Sequence, residues 1–416
     1  MANTDLVTKA DFLFAGAGLS GLTLVLEMVQ QPFFQDKTWI LIDRDDKNRN
    51  DRTWCFWATE QEPLPPIVHK TWEKCLFFGE NMDKTLDIAP YQYHMVRGLD
   101  FYQWAFETLS KYPQVKRVKA QILEIDAQTG RVHTDVGVFE GDRIFNSAQY
   151  SLENKPYSVD GARWTAQSVQ PSLSSDSPYT FLLQHFKGWI IESSTPAFDP
   201  QAVTFMDYRL EQHDETRFVY VLPLSENRAL VEFTVFSPSL CAPETYNAEL
   251  KRYVSEVLNI QDYQVLEEEF GVIPMTDMPL PVRSGGRIWN IGTAGGMVKA
   301  SSGYAFLRTQ RMIRSFVADW VQNGLPNAHK LRSSPLFQAM DSIMLRVLRE
   351  GTVSGKTFFS RLFQKLPARV VFRFLDEDAT GGEVFRILSA SPTWPFFRTA
   401  LRQIPILWSI FRSKNA

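Results

Sequence analysis

A glycine-rich turn near the start of the chain has the residue types and spacing that bind a phosphate group. It lies between a short apolar run and a segment whose apolar residues recur at helical spacing, which predicts a strand, a tight turn and a helix. In this pattern Gly16 makes the turn, Gly18 lets the backbone approach a pyrophosphate, and Gly21 lets the helix lie close to the strand. The start of the helix favours an anion. A turn with only a structural role is the alternative.

An acidic residue follows where a ribose-binding carboxylate is expected. Residues 38–43 read as a second apolar strand, and Asp43 lies 22 positions after Gly21, close to the usual spacing of about 20 residues. The sequence therefore predicts a dinucleotide-binding domain. Its predicted contacts in this part of the chain are Gly16, Ala17, Gly18, Leu19, Gly21 and Asp43.

A glutamate in a predicted hairpin has the chemistry of a proton donor. Residues 216–222 and 228–236 read as two strands joined by a short turn. The odd-numbered positions of the second strand form one apolar face, so Glu232 lies on the other face between Leu230 and Thr234. If that face is exposed to solvent, Glu232 is an ordinary surface carboxylate. If it lines an apolar cavity, desolvation raises the pKa of Glu232 and leaves it protonated at neutral pH.

A charged loop changes abruptly into an aromatic cluster at residues 44–57. Arg52 could reach a cofactor phosphate or carbonyl, while Trp54, Phe56 and Trp57 could stack on a flat ring or line an apolar pocket. Alternatively, the aromatic side chains belong to the core and Arg52 is a surface ion-pair partner.

A second glycine-rich loop follows a short apolar strand at residues 288–292 and precedes a helix predicted to open within residues 301–306. This arrangement is typical of flavin proteins, where the loop closes over the flavin ring and the helix N-terminus favours negative charge on a reduced flavin. The candidate contacts in this loop are Gly292, Thr293, Gly295, Gly296, Met297 and Val298.

Composition indicates a globular protein. Of the 416 residues, 44% are hydrophobic and 22% are charged, which argues against disorder over most of the chain. Three widely spaced cysteines suggest neither disulfides nor a zinc site, and six scattered histidines give no support for a metal. The start of the chain lacks the pattern of a secretory signal, and no segment is apolar enough to span a membrane. We therefore expect a cytoplasmic protein.

Positive charge is concentrated in the last part of the chain. Residues 327–416 contain 14 Lys and Arg against 6 Asp and Glu, although the net charge of the whole chain is −3. Aromatic residues are interleaved with these basic ones, which indicates contact with an anionic membrane surface at the inner face of the cell membrane. A helical cap with a solvated basic face is an equal alternative. Nucleic acid is a weaker one, because no binding module accompanies the charge.

Several longer motifs occur in one order over about residues 10–315 and carry a family resemblance. They are AGAGLSGL near the start, NDRTWCFW at 50–57, QHFKGW at 184–189, FMDYR at 205–209, FVYVLPLSENRALVEFT at 218–234, GVIPMTD at 271–277 and IGTAGGMVKASSGYAF at 291–306. With these motifs the chain resembles the bacterial lycopene β-cyclases.

The resemblance implies an FAD-dependent cyclase whose reaction is not a net redox reaction. The flavin must be reduced, with NAD(P)H as the reductant, and the substrates are lycopene and a monocyclic carotene. By position, the two glycine-rich segments and Asp43 match FAD-binding residues, and Glu232 matches the essential acid. Trp54, Phe56, Trp57 and Tyr304 match the surroundings of the substrate and of its developing cation.

Two departures from the pattern affect the expected site. Thr293 stands where many relatives in the wider flavoprotein group carry an Asp, and residues 146–149, which include Gln149, replace a charged pattern, so no site is assigned there.

A redox flavoenzyme of the same fold, either a monooxygenase or an isoprenoid reductase, is the first rival function. A flavin- or isoprenoid-binding protein without catalysis is the second.

The expected fold class is α/β, a Rossmann-like FAD-binding fold of the flavoprotein monooxygenase/reductase type. Residues 8–155 and 271–325 are expected to form the FAD-binding domain. Residues 156–270 would form a β-rich substrate lobe, and residues 326–416 a basic helical region at the membrane surface.

Overall fold

The structure is a computed structural model that describes residues 7–148 and 177–412. Its strands, in chain order, are β1 (Val7–Ala15), β2 (Trp39–Asp43), β3 (Thr53–Ala58), β4 (Lys70–Trp72), β5 (Lys74–Gly79), β6 (Met82–Leu86), β7 (Gln92–Arg97), β8 (Val115–Lys119), β9 (Ile122–Asp126), β10 (Arg131–Thr134), β11 (Gly137–Asn146), β12 (Phe181–Ser193), β13 (Ala202–Asp207), β14 (Thr216–Pro223), β15 (Arg228–Ser237), β16 (Tyr263–Thr276), β17 (Arg283–Ser284) and β18 (Ile288–Asn290).

The α-helices follow the same chain order. They are α1 (Leu19–Val29), α2 (Gly98–Leu109), α3 (Pro243–Arg252), α4 (Phe306–Asn323), α5 (Pro335–Arg349), α6 (Gly355–Lys365), α7 (Ala368–Leu375), α8 (Gly381–Ala390), α9 (Thr393–Arg402) and α10 (Ile404–Arg412). The predictions that involve Gln149 and the start of the substrate lobe lie outside the described residues.

A largely parallel sheet is built around β1. Its strand order is β17-β18-β11-β1-β2-β8, and β9 and β10 extend it from β11 as an antiparallel meander. Neighbouring residues of β1 point to opposite faces, yet Leu13 and Phe14 are both fully buried. Phe14 packs with α1 and α4, whereas Leu13 packs with the meander. This confirms the strand, glycine turn and helix predicted at the start of the chain.

Two strands of the meander differ from the sequence prediction. Residues 115–126 read as one strand in the sequence, but the chain breaks this run into β8, which is parallel to β2, and β9, which pairs with β10. Residues 131–138 also read as one strand in the sequence. They form a tight hairpin instead, because Gly137 adopts a φ of +148° where β11 begins.

A second sheet carries the predicted hairpin. Its strand order is β16-β12-β15-β14-β13-β5-β6, and its pairs are antiparallel except for β13 with β5. The hairpin is confirmed as β14 and β15, with Tyr220 directly opposite Glu232. Residues 74–86, within the range expected for the FAD-binding domain, contribute β5 and β6 to this sheet.

Both faces of β15 are buried. Val231 and Phe233 pack into a core with α3, whereas Leu230 and Phe236 pack into a larger core with the C-terminal helices. Glu232 therefore does not lie on a solvent-facing surface, and the first of the two alternatives for this residue is wrong.

The C-terminal region is helical, as predicted, and its two halves differ in burial. Phe358, Phe359, Phe363, Phe372 and Phe374 of α6 and α7 are buried against the second sheet. This part of the region is a packed helical cap. In α8–α10, by contrast, large apolar side chains are exposed. None of the helices in the two described ranges is long and apolar enough to cross a membrane.

Candidate functional site

The glycine-rich turn lines a cleft of about 520 Å³. Gly16 has a φ of +107°, and a Cβ on Gly21 would lie 2.1 Å from the Gly16 carbonyl oxygen, so the turn itself requires these two glycines. Gly18 differs, because a Cβ there would meet no protein atom within 4 Å. Gly18 also precedes α1 and has no side chain that could cap the helix. It therefore keeps space open beside unpaired helix N–H groups.

Asp43 lies at the end of β2, beside the glycine turn. Its two carboxylate oxygens accept hydrogen bonds from the Ala17 N–H at 2.6 Å and the Asp45 N–H at 2.8 Å, and Lys47 Nζ lies 3.7 Å from one of them. A carboxylate has about four lone-pair positions. Asp43 can therefore bind ribose hydroxyls while it holds the turn in place. Leu19 lines the same cleft.

The second glycine-rich loop lies at the other side of the cleft. Gly292, Thr293 and Val298 line it, and Gly292 has a φ of +63°. The Met297 side chain is buried, and its Sδ lies 3.0 Å from the Gly292 nitrogen, so it braces the loop from behind.

The remaining glycines of this loop face elsewhere. Gly295 and Gly296 line a neighbouring cavity of about 770 Å³ instead of the cleft. Of the six residues proposed from the sequence for this loop, the structure thus brings three to the cleft.

The segment between Arg52 and Trp57 divides between the cleft and the core. Arg52 and Trp54 line the cleft, and the Arg52 guanidinium also hydrogen-bonds Asp51 at 2.9 Å. Phe56 is buried and stacks on Phe306, with ring centroids 5.0 Å apart. Trp57 is buried in the larger core. The core interpretation is therefore right for Phe56 and Trp57, which lie further along β3 than Arg52 and Trp54 and are buried in two different cores on its opposite faces.

A smaller cavity of about 80 Å³ contains the Glu232 side chain. The register between β14 and β15 determines which side chains form one wall of this cavity. Tyr220 and Leu222 of β14 lie directly opposite Glu232 and Leu230 of β15. Thr53, Phe186, Ile273, Gly303 and Ala305 line both this cavity and the glycine-lined cleft, so the two spaces adjoin.

Glu232 has a second carboxyl group beside it, from Glu269 of β16. Burial and the adjacent Glu269 raise the pKa of Glu232 well above its ordinary value. Burial also raises the pKa of Glu269, although hydrogen bonds from Glu232 and Thr53 partly offset this increase. The Thr53 hydroxyl donates to Glu269 at 2.8 Å, and the Thr234 hydroxyl donates to Glu232 at 3.2 Å. The site therefore holds a carboxyl group that stays protonated at a higher pH than an ordinary glutamate does.

Three tyrosines add hydroxyl groups and ring faces to this cavity. Tyr93, Tyr220 and Tyr304 line the cavity, and the hydroxyls of Tyr220 and Tyr304 are 3.4 Å apart. Burial raises the pKa of all three, so they are neutral hydroxyls at physiological pH.

The turn that carries Tyr304 is held by a buried ion-pair network. Lys299 is fully buried, hydrogen-bonds Asp341, and lies 3.2 Å from a Glu377 oxygen. The helix after the turn was expected to open within residues 301–306, and α4 begins at the last of these positions. The structure thus fixes the turn that carries Tyr304 through Asp341 of α5 and Glu377 just after α7.

Several residues around Glu232 were missed from the sequence, namely Glu269 and the cavity-lining Thr53, Cys55, Gln184 and Tyr220. Glu269 is the third acid of the run Glu267-Glu268-Glu269, which reads as an exposed charged stretch. A usable signal was available, because the run leads directly into the apolar motif at residues 271–275 and alternation separates Glu269 from Glu268. Thr53 and Cys55 alternate in the same way with Trp54. In the described ranges, no group of three His, Cys, Asp or Glu side chains could hold a metal ion.

The fold is the Rossmann-like FAD-binding fold of the flavoprotein monooxygenase/reductase type, as predicted. The chain is similar to a geranylgeranyl bacteriochlorophyll reductase-like protein from Thermoplasma acidophilum, with a TM-score of 0.54 and 11% identity over 98% of this chain and 100% of that one. It is also similar to the flavin-dependent brominase Bmp2, with a TM-score of 0.54 and 12% identity over 91% of this chain and 98% of that one. At these identities the likeness concerns the fold alone.

Sequence comparison goes further than the fold. Residues 11–401 match the family described as lycopene cyclase protein, and the chain belongs to this family. No curated protein sequence matches the chain significantly.

Proposed function

We propose that this protein is a lycopene β-cyclase. It converts the ψ-end groups of lycopene into β-ionone rings and so forms γ-carotene and then β-carotene. The reaction is an acid-catalysed isomerisation without net oxidation or reduction. One observation carries the proposal, namely a carboxyl group with a raised pKa, Glu232, in a cavity that adjoins the glycine-lined cleft. Membership of the lycopene cyclase family supports the substrate class.

The cleft fits FAD. Gly18 leaves open space at the N-terminus of α1 for a pyrophosphate, and Asp43 has acceptor positions for ribose hydroxyls. Gly292, Thr293 and Val298 would hold the flavin at the other side. When bound in its reduced form, FAD would supply negative charge that stabilises a carbocation electrostatically. NAD(P)H is the proposed reductant.

Glu232 is the proposed proton donor. Lycopene is a hydrocarbon, so the acid can act on it only at a double bond. Glu232 protonates the terminal double bond and creates a tertiary carbocation, which a neighbouring double bond attacks to close the ring. Loss of one ring proton completes the β-ionone end group, and the product has the same atoms as the substrate.

Aromatic side chains are proposed to stabilise the cation and to keep water away from it. Tyr304 and Tyr220 line the cavity, and a desolvated cation–π contact contributes about 2 kcal/mol. Trp57 meets the Tyr304 ring edge-on at 4.7 Å and positions it. Apolar neighbours such as Leu222 and Leu230 exclude water, which would otherwise add to the cation.

The direct test is expression of the chain in a bacterial host that accumulates lycopene, with an empty vector as control. A product of unchanged mass and shorter conjugation, identified by chromatography and mass spectrometry, is the expected result. A mass change of two hydrogens or one oxygen would assign redox chemistry to the same fold. Unchanged lycopene with FAD-loaded protein would overturn the cyclase proposal.

The same proposal places the protein at the inner face of the cell membrane, where its substrate dissolves. Residues 384–412 contain four arginines and no Asp or Glu. Large apolar side chains are exposed on the same three helices, and these are Phe385, Leu388, Trp394, Phe397, Leu401, Ile404, Trp408 and Phe411. Exposed apolar area beside positive charge fits an anionic lipid surface.

A further inference from the structure

Glu232 and Glu269 meet across a glycine. β12 lies between β15 and β16, and Gly188 of β12 is directly opposite Glu232 on one side and Glu269 on the other. Directly opposite residues point to the same face of a sheet. Both carboxyl groups therefore stand on the cavity side of the sheet, with no side chain between them.

The glycine is required for this contact. A Cβ on Gly188 would lie 2.9 Å from Cγ of Glu269, 2.9 Å from Cδ1 of Leu230 and 3.2 Å from Oε1 of Glu269. The first two distances are shorter than Cβ atoms adopt, so any larger residue would push the Glu269 side chain away from Glu232.

One oxygen of Glu269 lacks a hydrogen-bond donor among the described residues, and a protonated Glu232 carboxyl can supply one. Glu269 is 9% exposed, and its Oε2 accepts the Thr53 hydroxyl. Its Oε1 is buried and has no hydrogen-bond donor in the described part of the chain while both carboxyls are ionised. A proton on Glu232 fills this position. Two buried carboxylates in contact would also repel each other strongly.

We infer that Glu232 and Glu269 share one proton, and that Glu269 is a positioning residue that keeps Glu232 protonated and able to donate. The chemical part of this inference rests on the proposed cyclase function. In one turnover the Glu232 O–H bond breaks as a C–H bond forms at the end of the substrate. The ring C–C bond then closes, one ring C–H bond breaks, and that proton returns to the pair. The pair has the same charge before and after, so no further reactant is needed.

The groups that face the pair come from several elements. Cys55 of β3, Tyr220 of β14 and Glu267 of β16 act on it, together with Asp51 and Arg52 just before β3. Of these, Arg52 is a cation, and it is hydrogen-bonded to Asp51. The surroundings thus favour one negative charge on the pair and oppose two.

The test compares Glu269→Gln and Glu269→Asp in the purified full-length chain with its cofactor. Glu268→Gln is the control, because Glu268 lies on the other face of β16 and pairs with Lys187 at 2.8 Å. Loss of the adjacent charge lowers the pKa of Glu232, so the alkaline limb of kcat in Glu269→Gln moves to lower pH by roughly one pH unit or more. KM changes less than kcat. In Glu269→Asp the decrease of kcat at high pH stays close to that of the wild type, and Glu268→Gln leaves the pH dependence of kcat unchanged.

A second readout needs no turnover. Infrared titration of the substrate-free protein follows the protonated carboxyl band, and the band lost in Glu232→Gln identifies its origin. That band is expected to titrate at lower pH in Glu269→Gln than in the wild type. An unchanged titration, or an unchanged alkaline limb in folded Glu269→Gln, would overturn the shared proton. If the wild type does not cyclise lycopene, the proposed function fails, and the infrared titration still decides the pairing.

Discussion

Trp57 of β3 stacks on Phe372 of α7, with ring centroids 4.4 Å apart and an interplanar angle of 17°. The same indole meets the Tyr304 ring edge-on, with centroids 4.7 Å apart. A C-terminal helix therefore supports the wall of the Glu232 cavity through two aromatic contacts. The C-terminal helices contribute to the geometry of the site as well as to a proposed membrane contact.

This contact predicts a stability effect for Trp57. We expect Trp57→Ala to lower the free energy of unfolding by about 3 to 5 kcal/mol, because it leaves a large cavity in the core. Denaturant unfolding measures the change, and Trp394→Ala is the matched control, since Trp394 is 71% exposed. Full stability combined with lost cyclisation would instead place Trp57 in contact with the substrate.

Gly188 offers a test of packing beneath the carboxyl pair. Gly188→Ala should destabilise the fold by about 1 to 3 kcal/mol through overpacking and should reduce turnover, because the new methyl group displaces Glu269. Gly286→Ala is the control, since a Cβ there meets no atom within 4 Å. Wild-type stability and rate in Gly188→Ala would mean that Glu269 can move without consequence.

Gly18 separates cofactor binding from folding. A Cβ at this position would enter the open cleft, so Gly18→Ala should unfold like the wild type and retain less FAD after purification. Gly21→Ala should instead destabilise the fold, because its Cβ would lie 2.1 Å from the Gly16 carbonyl oxygen. Flavin absorbance per protein chain is the measurement. Unchanged flavin content in Gly18→Ala would move the pyrophosphate away from this turn.

The raised pKa of Glu232 predicts how activity and stability depend on pH. Cyclisation should fall as pH rises through the raised pKa, since Glu232 then loses the proton that it donates. The folded chain binds this proton more tightly than the unfolded chain does. Its contribution to stability is therefore complete below the unfolded pKa and is lost as pH rises through the folded one.

Glu232→Gln removes both effects. This variant should bind FAD normally and lose cyclisation, and its free energy of unfolding should fall less steeply with rising pH than that of the wild type. Chromatographic product analysis and denaturant unfolding at several pH values check the two parts. Turnover retained by Glu232→Gln would remove this residue from the mechanism.

The exposed face of α8–α10 predicts weak, salt-sensitive membrane binding. Trp394→Glu together with Trp408→Glu should reduce sedimentation with anionic vesicles, whereas Phe33→Glu, at an exposed position outside these helices, should not. Binding should weaken as salt rises, because the arginines interact through screened charge. If the double variant bound anionic vesicles as well as the wild type does, this face would not be the membrane contact. Equal binding to neutral vesicles would argue against the charge contribution.

The glycine turn, the hairpin and the second glycine-rich loop could be predicted because each depends on residues close together in the chain. Gly16 and Gly21 satisfy a local steric requirement, and alternation along residues 228–236 fixes which side chains share a face. The boundaries near residues 120 and 135 could not be predicted, since they depend on which neighbouring strand each segment pairs with.

The sequence by itself determined the fold class, the family and the identity of Glu232 as a candidate acid. Only the tertiary structure decided that the face around Glu232 is buried, because burial depends on helices that follow more than a hundred residues later. It alone brought Glu269 and Thr53 to Glu232, since β16 and β3 reach this point through sheet pairing and packing between distant segments. A carboxyl group acquires a raised pKa from its surroundings in space, and those surroundings form only when the chain is folded.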